Sequence, residues 1–386
     1  MRLADQQQNA LALAVAARRA RREALLDLTV SNPTEVALPF GDADDIAAAL
    51  GCHEVAHYQP HPRGLASARA AVAAEHTDLA SDRLLLCSCS SEAYSFLFKV
   101  LSRPGDVVLA PRPSYPLIEH LALLDGLSVV SYPLRYDGSW RLDRDAFAAA
   151  LREAEGRVRA VIAVSPNNPS GNYLADDEQQ LLDEACARAG CALIVDEVFF
   201  DYPRDPAEHD ARQLATARAR DALTFSLGGL SKSCALPQVK LSWIAAAGPS
   251  DQVERALSRL ELVSDTYLTL STAPQLCAQR LLTLGRTRRA LVAGRVAHNR
   301  RSLEQRCAGS AVTPLHSEAG WSAMLRVPEL DGEEALCLAL VERGVLAHPG
   351  YFFDLDGAGA HLVVSLLPKQ QDFDAGIEQL LASVAR

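Results

Sequence analysis

One lysine among the 386 residues stands where covalent chemistry is possible. Lys232 follows the short apolar run LTFSL and lies in GGLSKSCALPQVKLSW, between Ser231 and Ser233 and just after Gly228 and Gly229. Neighbours this small let a flat ligand approach the backbone closely. A lysine amine becomes a nucleophile toward carbonyl groups when burial or a nearby cation lowers its pKa. Lys240 follows at the entry to a second apolar run, LSWIAAA, so that one amine can react while the other holds an anion. Taken alone, the pair also reads as two surface lysines beside a loop, the usual situation of that residue.

Other residues have chemistry of their own. Asp196 closes CALIVDE, past a run of buried character where a carboxylate is costly without a cation. A pyridinium nitrogen would be such a partner, and a helix cap is the plainer alternative. Asn168, in SPNNPSG at 165–171, sits in a rigid turn between prolines, which either presents it to a ligand or simply reverses the chain. Ser90, Ser91 and Glu92 fall where a strand gives way to a helix, so free N–H groups and the helix dipole face any phosphate there. An ordinary serine N-cap has the same appearance. Tyr115, after PRPS, can stack on a flat ring or cap the core, and Tyr58, in HYQPHPRG, can reach a ligand or decorate a surface turn.

The elements that position these residues alternate. Strands are expected at 83–88, 106–113, 127–134, 158–165 and 191–197, and helices from about Leu65, at 91–102, at 115–124, and near 143–154 and 175–189. That alternation predicts an α/β fold with a mainly parallel sheet covered on both faces, which binds ligands beyond the carboxyl ends of its strands. Residues 4–26 have helical spacing and lead into the extended, proline-punctuated LLDLTVSNPTEVALPF. Residues 250–310 read as mostly helical and join a smaller α+β part, with strands at 311–316, 321–327 and 362–367 and helices at 332–343 and 371–384. The turn-rich loop HPGYFFDLDGAG at 348–359 is placed to cover a site. The expected division is an arm at 1–45, a large domain at 46–270 and a small domain at 271–386.

Composition narrows the classes. A net charge of −10 gives no electrostatic reason to expect nucleic acid or an anionic membrane as partner, and RRARR at 18–22 reads as a solvated helix face. Nine cysteines, an odd number with no CxxC spacing, point to reduced thiols, not to a disulfide framework or a metal site. QQQN stands where a signal peptide needs its apolar core, and no apolar stretch approaches about 18 residues, so a soluble cytoplasmic protein is expected. No GxGxxG follows an expected strand, which sets aside a nicotinamide-dependent dehydrogenase.

In order and spacing these stretches resemble the class I/II aminotransferases, fold-type I enzymes that depend on pyridoxal 5'-phosphate, and the resemblance runs through nearly the whole chain. It implies a large domain with a seven-stranded type of sheet, a small domain, and a homodimer. Lys232 then corresponds to the Schiff-base lysine, which also serves as the base that moves the substrate proton. Ser90, Ser91 and Glu92 correspond to the phosphate-binding turn, with Ser231 beside the lysine. Lys240 stands where the family usually places an arginine, or in some members a lysine, on the phosphate. Tyr115 corresponds to the aromatic residue stacked on the cofactor ring, Asn168 to the partner of the ring hydroxyl, and Asp196 to the partner of the pyridine nitrogen. Tyr58 corresponds to the tyrosine that reaches the partner subunit's phosphate, and SNPTE at 31–35 to a loop on the substrate side.

Two positions depart from the family pattern. Phe199, in DEVFF, replaces a tyrosine that donates to the ring hydroxyl, and Val363, in HLVVSLL, replaces the arginine that clamps the substrate carboxylate. Arg63, Arg112, Arg326 and His348 are candidate substitutes, since no arginine occurs in 344–385. The expectation is amino transfer between an amine or amino acid and a carbonyl acceptor, such as an oxo acid or aldehyde. A carbon–sulfur lyase, decarboxylase or cyclase on the same scaffold is the alternative, with a catalytically idle binding module behind it.

Overall fold

The computed structural model describes residues 9–41, 43–58, 60–76, 79–154, 156–206, 212–329, 331–355 and 359–385. Residues 4–8 of the expected arm helix and 356–358 of the 348–359 loop lie outside them.

After the helix Ala10–Ala20 comes a two-residue strand, β1 (Leu26–Asp27). The strands that follow are β2 (Leu84–Cys87), β3 (Val107–Arg112), β4 (Ser128–Tyr136), β5 (Trp140–Leu142), β6 (Val158–Val164), β7 (Ala192–Asp196), β8 (Thr224–Gly229) and β9 (Ser242–Ala247). They form one eight-stranded sheet in the order β2-β9-β8-β7-β6-β3-β4-β5. From β8 through β4 neighbouring strands are parallel, whereas β9 runs antiparallel to both β2 and β8. The eighth strand, β5, folds back on β4 after an Asp137-Gly138 turn, with Gly138 at φ +106°.

Strands as apolar as VRAVIAV and ALIVD suit the middle of such a sheet because helices cover both their faces. The helices Ser90–Leu101, Leu117–Leu124 and Ser250–Tyr267 seal one face through Phe96, Ile118, Val253 and Leu260. Arg144–Glu153 and Asp176–Ala189 seal the other through Phe147, Leu182 and Cys186.

The second unit is built on an antiparallel sheet in the order β10-β11-β14-β13, from β10 (Thr313–Pro314), β11 (Ser322–Val327), β13 (His348–Pro349) and β14 (Ala360–Ser365). Between β11 and β13 lies β12 (Val345–Leu346), which pairs in parallel with β1. Leu11, Leu28 and Val36 from the beginning of the chain therefore share a core with Phe373, Ile377 and Leu380 from its end. The 30-residue helix Ala278–Cys307 joins the two units, burying Leu281 and Leu282 beside the large sheet and Val292, Val296 and Leu303 in the second core. No helix among the described residues is long and apolar enough to cross a membrane.

Candidate active site

Three adjacent parallel strands end at one cavity of about 320 Å³. Beyond β6, the 165–171 turn brings Asn168; β7 ends on Asp196; β8 runs into the one-turn helix Leu230–Ser233, which presents Lys232. Tyr115 reaches the same cavity from the segment after β3, and the second unit closes it with Trp321, Ser322, His348, Val363 and Ser365.

Asp196 and Lys232 are the charged pair of the cavity, and burial acts on them in opposite directions. It pushes the Asp196 carboxyl up to about 6, against the Val198 N–H, the Tyr94 hydroxyl and Lys232. It pulls Lys232 down to about 8, with Asp196 opposing. The direct hydrogen-bond partners of Asp196 are neutral: Tyr94 donates to Oδ2 at 3.1 Å and Val198 N–H to Oδ1 at 3.2 Å. Around the lysine the walls are aromatic, with Nζ 4.9 Å from the Trp321 ring centroid and 5.3 Å from that of Phe199. These two rings meet edge to face at 5.3 Å.

The two asparagines of the turn divide the work. Asn167, almost fully buried, donates to Pro113 O at 2.9 Å and accepts from the Ser114 hydroxyl at 2.9 Å, tying the turn to the segment that carries Tyr115. Asn168 faces the cavity and accepts from the Ser322 hydroxyl at 3.3 Å, a link to the second sheet.

At the helix Ser90–Leu101 the N-cap is Cys89, which makes no side-chain cap. The first N–H groups are thus left to whatever lies in front of them, and Ser90 lines the cavity. Glu92 is engaged elsewhere, since its carboxylate accepts from Ser88 N–H at 2.7 Å and from the Ser88 hydroxyl at 2.9 Å. A carboxylate turned back on the preceding loop braces that turn and would repel an anion, so of the backbone or side-chain phosphate contacts expected of Glu92 its backbone N–H, in the first turn of the helix, is the one this geometry suits. Ser91 is half-buried and outside the cavity lining.

Other expected residues also lie apart. Lys240 is exposed, at φ +61°, outside the cavity lining; its neighbour Leu241 accepts from Leu230 N–H at 2.9 Å, so its backbone passes beside the Lys232 turn. Ser231 is half-buried in that turn, and Tyr58 is 74 % exposed. Gly228 and Gly229 make room for protein, not for a ligand. A Cβ on Gly228 would lie 2.5 Å from the Trp243 indole, and one on Gly229 would strike the Ser242 hydroxyl. Of the four candidate carboxylate binders only His348 lines the cavity, while Arg63 donates to Asp82 O and Leu84 O, and Arg112 and Arg326 open onto a separate groove.

Sequence reasoning did not single out Tyr94, Trp321, Ser322 or Ser365. Tyr94 had a signal, standing four residues after Ser90 on the same helix face. The other three depend on how the second unit docks.

A family model described as aminotransferase class I and II matches residues 25–372. The chain belongs to this family. Members of it use pyridoxal phosphate. As a family member the chain is 28 % identical over 380 residues to an alanine aminotransferase of Mycobacterium tuberculosis, covering 92 % of this chain and 84 % of that one. It is 29 % identical over 246 residues to nicotianamine aminotransferase A of Hordeum vulgare, covering 62 % of this chain and 51 % of the relative, so it spans about half of that protein. Among solved structures, an alanine aminotransferase from Pyrococcus furiosus superposes with a TM-score of 0.85 at 18 % identity, over 96 % of this chain and 95 % of that one. At that identity the likeness speaks for the fold.

Proposed function

We propose that the protein moves an amino group between an amine or amino acid and a carbonyl acceptor, and that it binds its substrate without an arginine in the cavity. The observation that carries this reading is the facing of Lys232 and Asp196 across one cavity. Among the described residues the direct hydrogen-bond partners of the buried carboxylate are neutral, and desolvation lowers the pKa of the amine to about 8.

The donor set fits pyridoxal phosphate. A protonated pyridine nitrogen supplies the cation that Asp196 lacks, the uncapped start of Ser90–Leu101 suits a phosphate, and Asn168 and Tyr115 line the space between. When bound, the cofactor withdraws electrons from the substrate carbon that carries nitrogen.

The remaining work falls to this chain. Asp196, ionised above about 6, holds the ring proton in place. Lys232 Nζ, a substantial fraction of it neutral near pH 8, would be the base that accepts and returns the substrate proton once the cofactor is held there. Phe199 and Trp321 set aromatic walls beside the amine, and Phe199 offers the ring hydroxyl no donor. Orienting that hydroxyl therefore rests on Asn168.

Val363 supports the substrate inference. It is 3 % exposed, lines the cavity and packs with Met324 and Phe353. Among the described residues, the basic side chains of the cavity are Lys232 and His348, and burial lowers the pKa of His348. A substrate carboxylate would meet chiefly the neutral hydroxyls of Thr29, Ser31, Ser322 and Ser365. The reading favours donors or acceptors with no carboxylate next to the reacting carbon, and weak turnover of common α-amino acids with 2-oxoglutarate. The names of the relatives, alanine and nicotianamine aminotransferases, leave the donor open.

The exposed apolar side chains Leu117, Leu124, Leu262, Tyr267 and Leu268, together with Tyr58, support assembly as a homodimer in which Tyr58 meets the partner's site. Sedimentation of the wild type and of Leu262→Glu reports that assembly.

The deciding experiment follows the visible band at about 400 nm in the wild type and in Lys232→Ala while amines and amino acids are added. A band that shifts with an amine and is altered without Lys232 supports the reading, and no binding of excess pyridoxal phosphate overturns it. A requirement for a second carbonyl substrate distinguishes amino transfer from elimination or decarboxylation, which need none.

A further inference from the structure

A second concavity, a groove of about 610 Å³, opens between the edge hairpin β4–β5 and the small sheet. It gathers three arginines, Arg112, Arg135 and Arg326, in a chain whose net charge is −10. Arg112 meets Asp354 at 3.5 Å and Arg135 pairs with Asp143, whereas exposed Arg326 has no carboxylate partner among the described residues. Trp140 also lines the groove; it is 5 % exposed, and its indole N–H has no acceptor among the described residues.

The groove is built on the same sheet face as the cavity. Strands β11 and β14 pair Ser322 with Ser365, Met324 with Val363 and Arg326 with His361. Alternate residues share a face, so the first pair belongs to the cavity, the last to the groove, and the Met324–Val363 pair lies between. One step of two residues along a strand covers about 7 Å. On the opposite wall, consecutive residues divide in the same way: Phe353 lines the cavity, Asp354 and Leu355 the groove. A single layer of side chains separates the two spaces.

We infer that this groove is a binding site for a carboxylate- or phosphate-bearing small molecule, with the guanidinium groups of Arg326, Arg135 and Arg112 as its anion receptor. Guanidinium forks match both anions bidentately, and Arg326 is free to do so. Half-buried Leu134 and Leu355, backed by buried Trp140 and Leu315, supply a surface for the organic part of the ligand. Because the buried Met324–Val363 pair divides the groove from the cavity, the anion belongs to a molecule separate from the one beside Lys232.

The test uses the holoprotein and two probes that carry no amine, tricarballylate and inorganic pyrophosphate, titrated calorimetrically with the visible band monitored so that cofactor loss is seen. The expected result is binding of a probe by the wild type that weakens about tenfold or more in Arg326→Gln and Arg135→Gln and recovers in part in Arg326→Lys. No binding by the wild type, or equal binding by Arg326→Gln, overturns the inference. A second arm compares 6-aminohexanoate with hexylamine through the shift of the visible band. If Arg326→Gln weakens the first about tenfold and leaves the second unchanged, the anion is part of the substrate and the inference of a separate molecule is overturned. If it changes neither while probe binding is lost, the ligand is a separate molecule. A wild type without a visible band refutes the catalytic reading and leaves the calorimetric result valid.

Discussion

The hydroxyl of Tyr94 donates a 3.1 Å hydrogen bond to Asp196 Oδ2, and both residues are nearly inaccessible to solvent. The bond links the helix that begins at Ser90 to the end of β7, so one helix bears on the cavity both at Ser90 and at Asp196. Tyr94→Phe removes one of the contacts that favour the charged carboxylate, and Asp196 then rises above its value of about 6. The expected change is about 1 kcal/mol, an upward shift of the Asp196 titration by about half to one pH unit, read by carboxyl-resolved NMR titration of the cofactor-free protein.

Lys232 makes the cofactor-free protein sensitive to pH on the alkaline side. Its folded pKa is lowered, from 10.5 to about 8, so between those values the unfolded chain holds a proton that the folded chain has released, and stability increases as pH rises through that window. Lys232→Met removes the buried amine. Thermal melts of cofactor-free protein are expected to show the variant above wild type at pH 7, with the advantage shrinking toward pH 10.5; a gap independent of pH would contradict the assignment.

Val363→Arg puts a guanidinium on the cavity wall. The longer side chain must displace Met324 or Phe353, at a cost of about 1–3 kcal/mol seen as a lower Tm. The KM for α-amino acids is expected to fall about tenfold or more, because a bidentate ion pair replaces neutral hydroxyls. Unchanged KM with a normal visible band would show that the wild type already binds carboxylate by another group.

Two glycines in the helix Ala278–Cys307 should respond with opposite signs. A Cβ on Gly285 would collide with Cys234, two residues from Lys232, whereas one on Gly294 meets nothing within 4 Å. Gly294→Ala is expected to stabilise by about 0.5–1 kcal/mol. Gly285→Ala is expected to destabilise by about 1–3 kcal/mol in denaturant titrations, with some loss of activity as the Lys232 turn shifts.

Much of the parallel sheet is legible in the sequence because its signals are local. VRAVIAV, CALIVDE and LTFSL are apolar runs of strand length with turn residues at their ends, and parallel strands place those ends on one side of the sheet. Lys232, Asp196, Asn168, Tyr115 and Ser90 are each a strand end or the turn beyond one, so their convergence follows from topology alone. Gly228 and Gly229 mislead for the opposite reason. Their purpose is set by Trp243 and Ser242, residues of the neighbouring antiparallel strand, and no local pattern states which side chain crosses a glycine.

The sequence by itself determined Lys232, Asp196 and Val363 and the order of the strands that bear them, since residue identity and strand order are properties of the chain. The tertiary structure alone decided what those residues meet. It placed Tyr94 on Asp196, turned Glu92 toward Ser88, set the rings of Phe199 and Trp321 beside the Lys232 amine, and collected Arg112, Arg135 and Arg326 in one groove. Each of these depends on how two elements distant in sequence pack against each other, and burial, which sets both pKa values, exists only once they have done so.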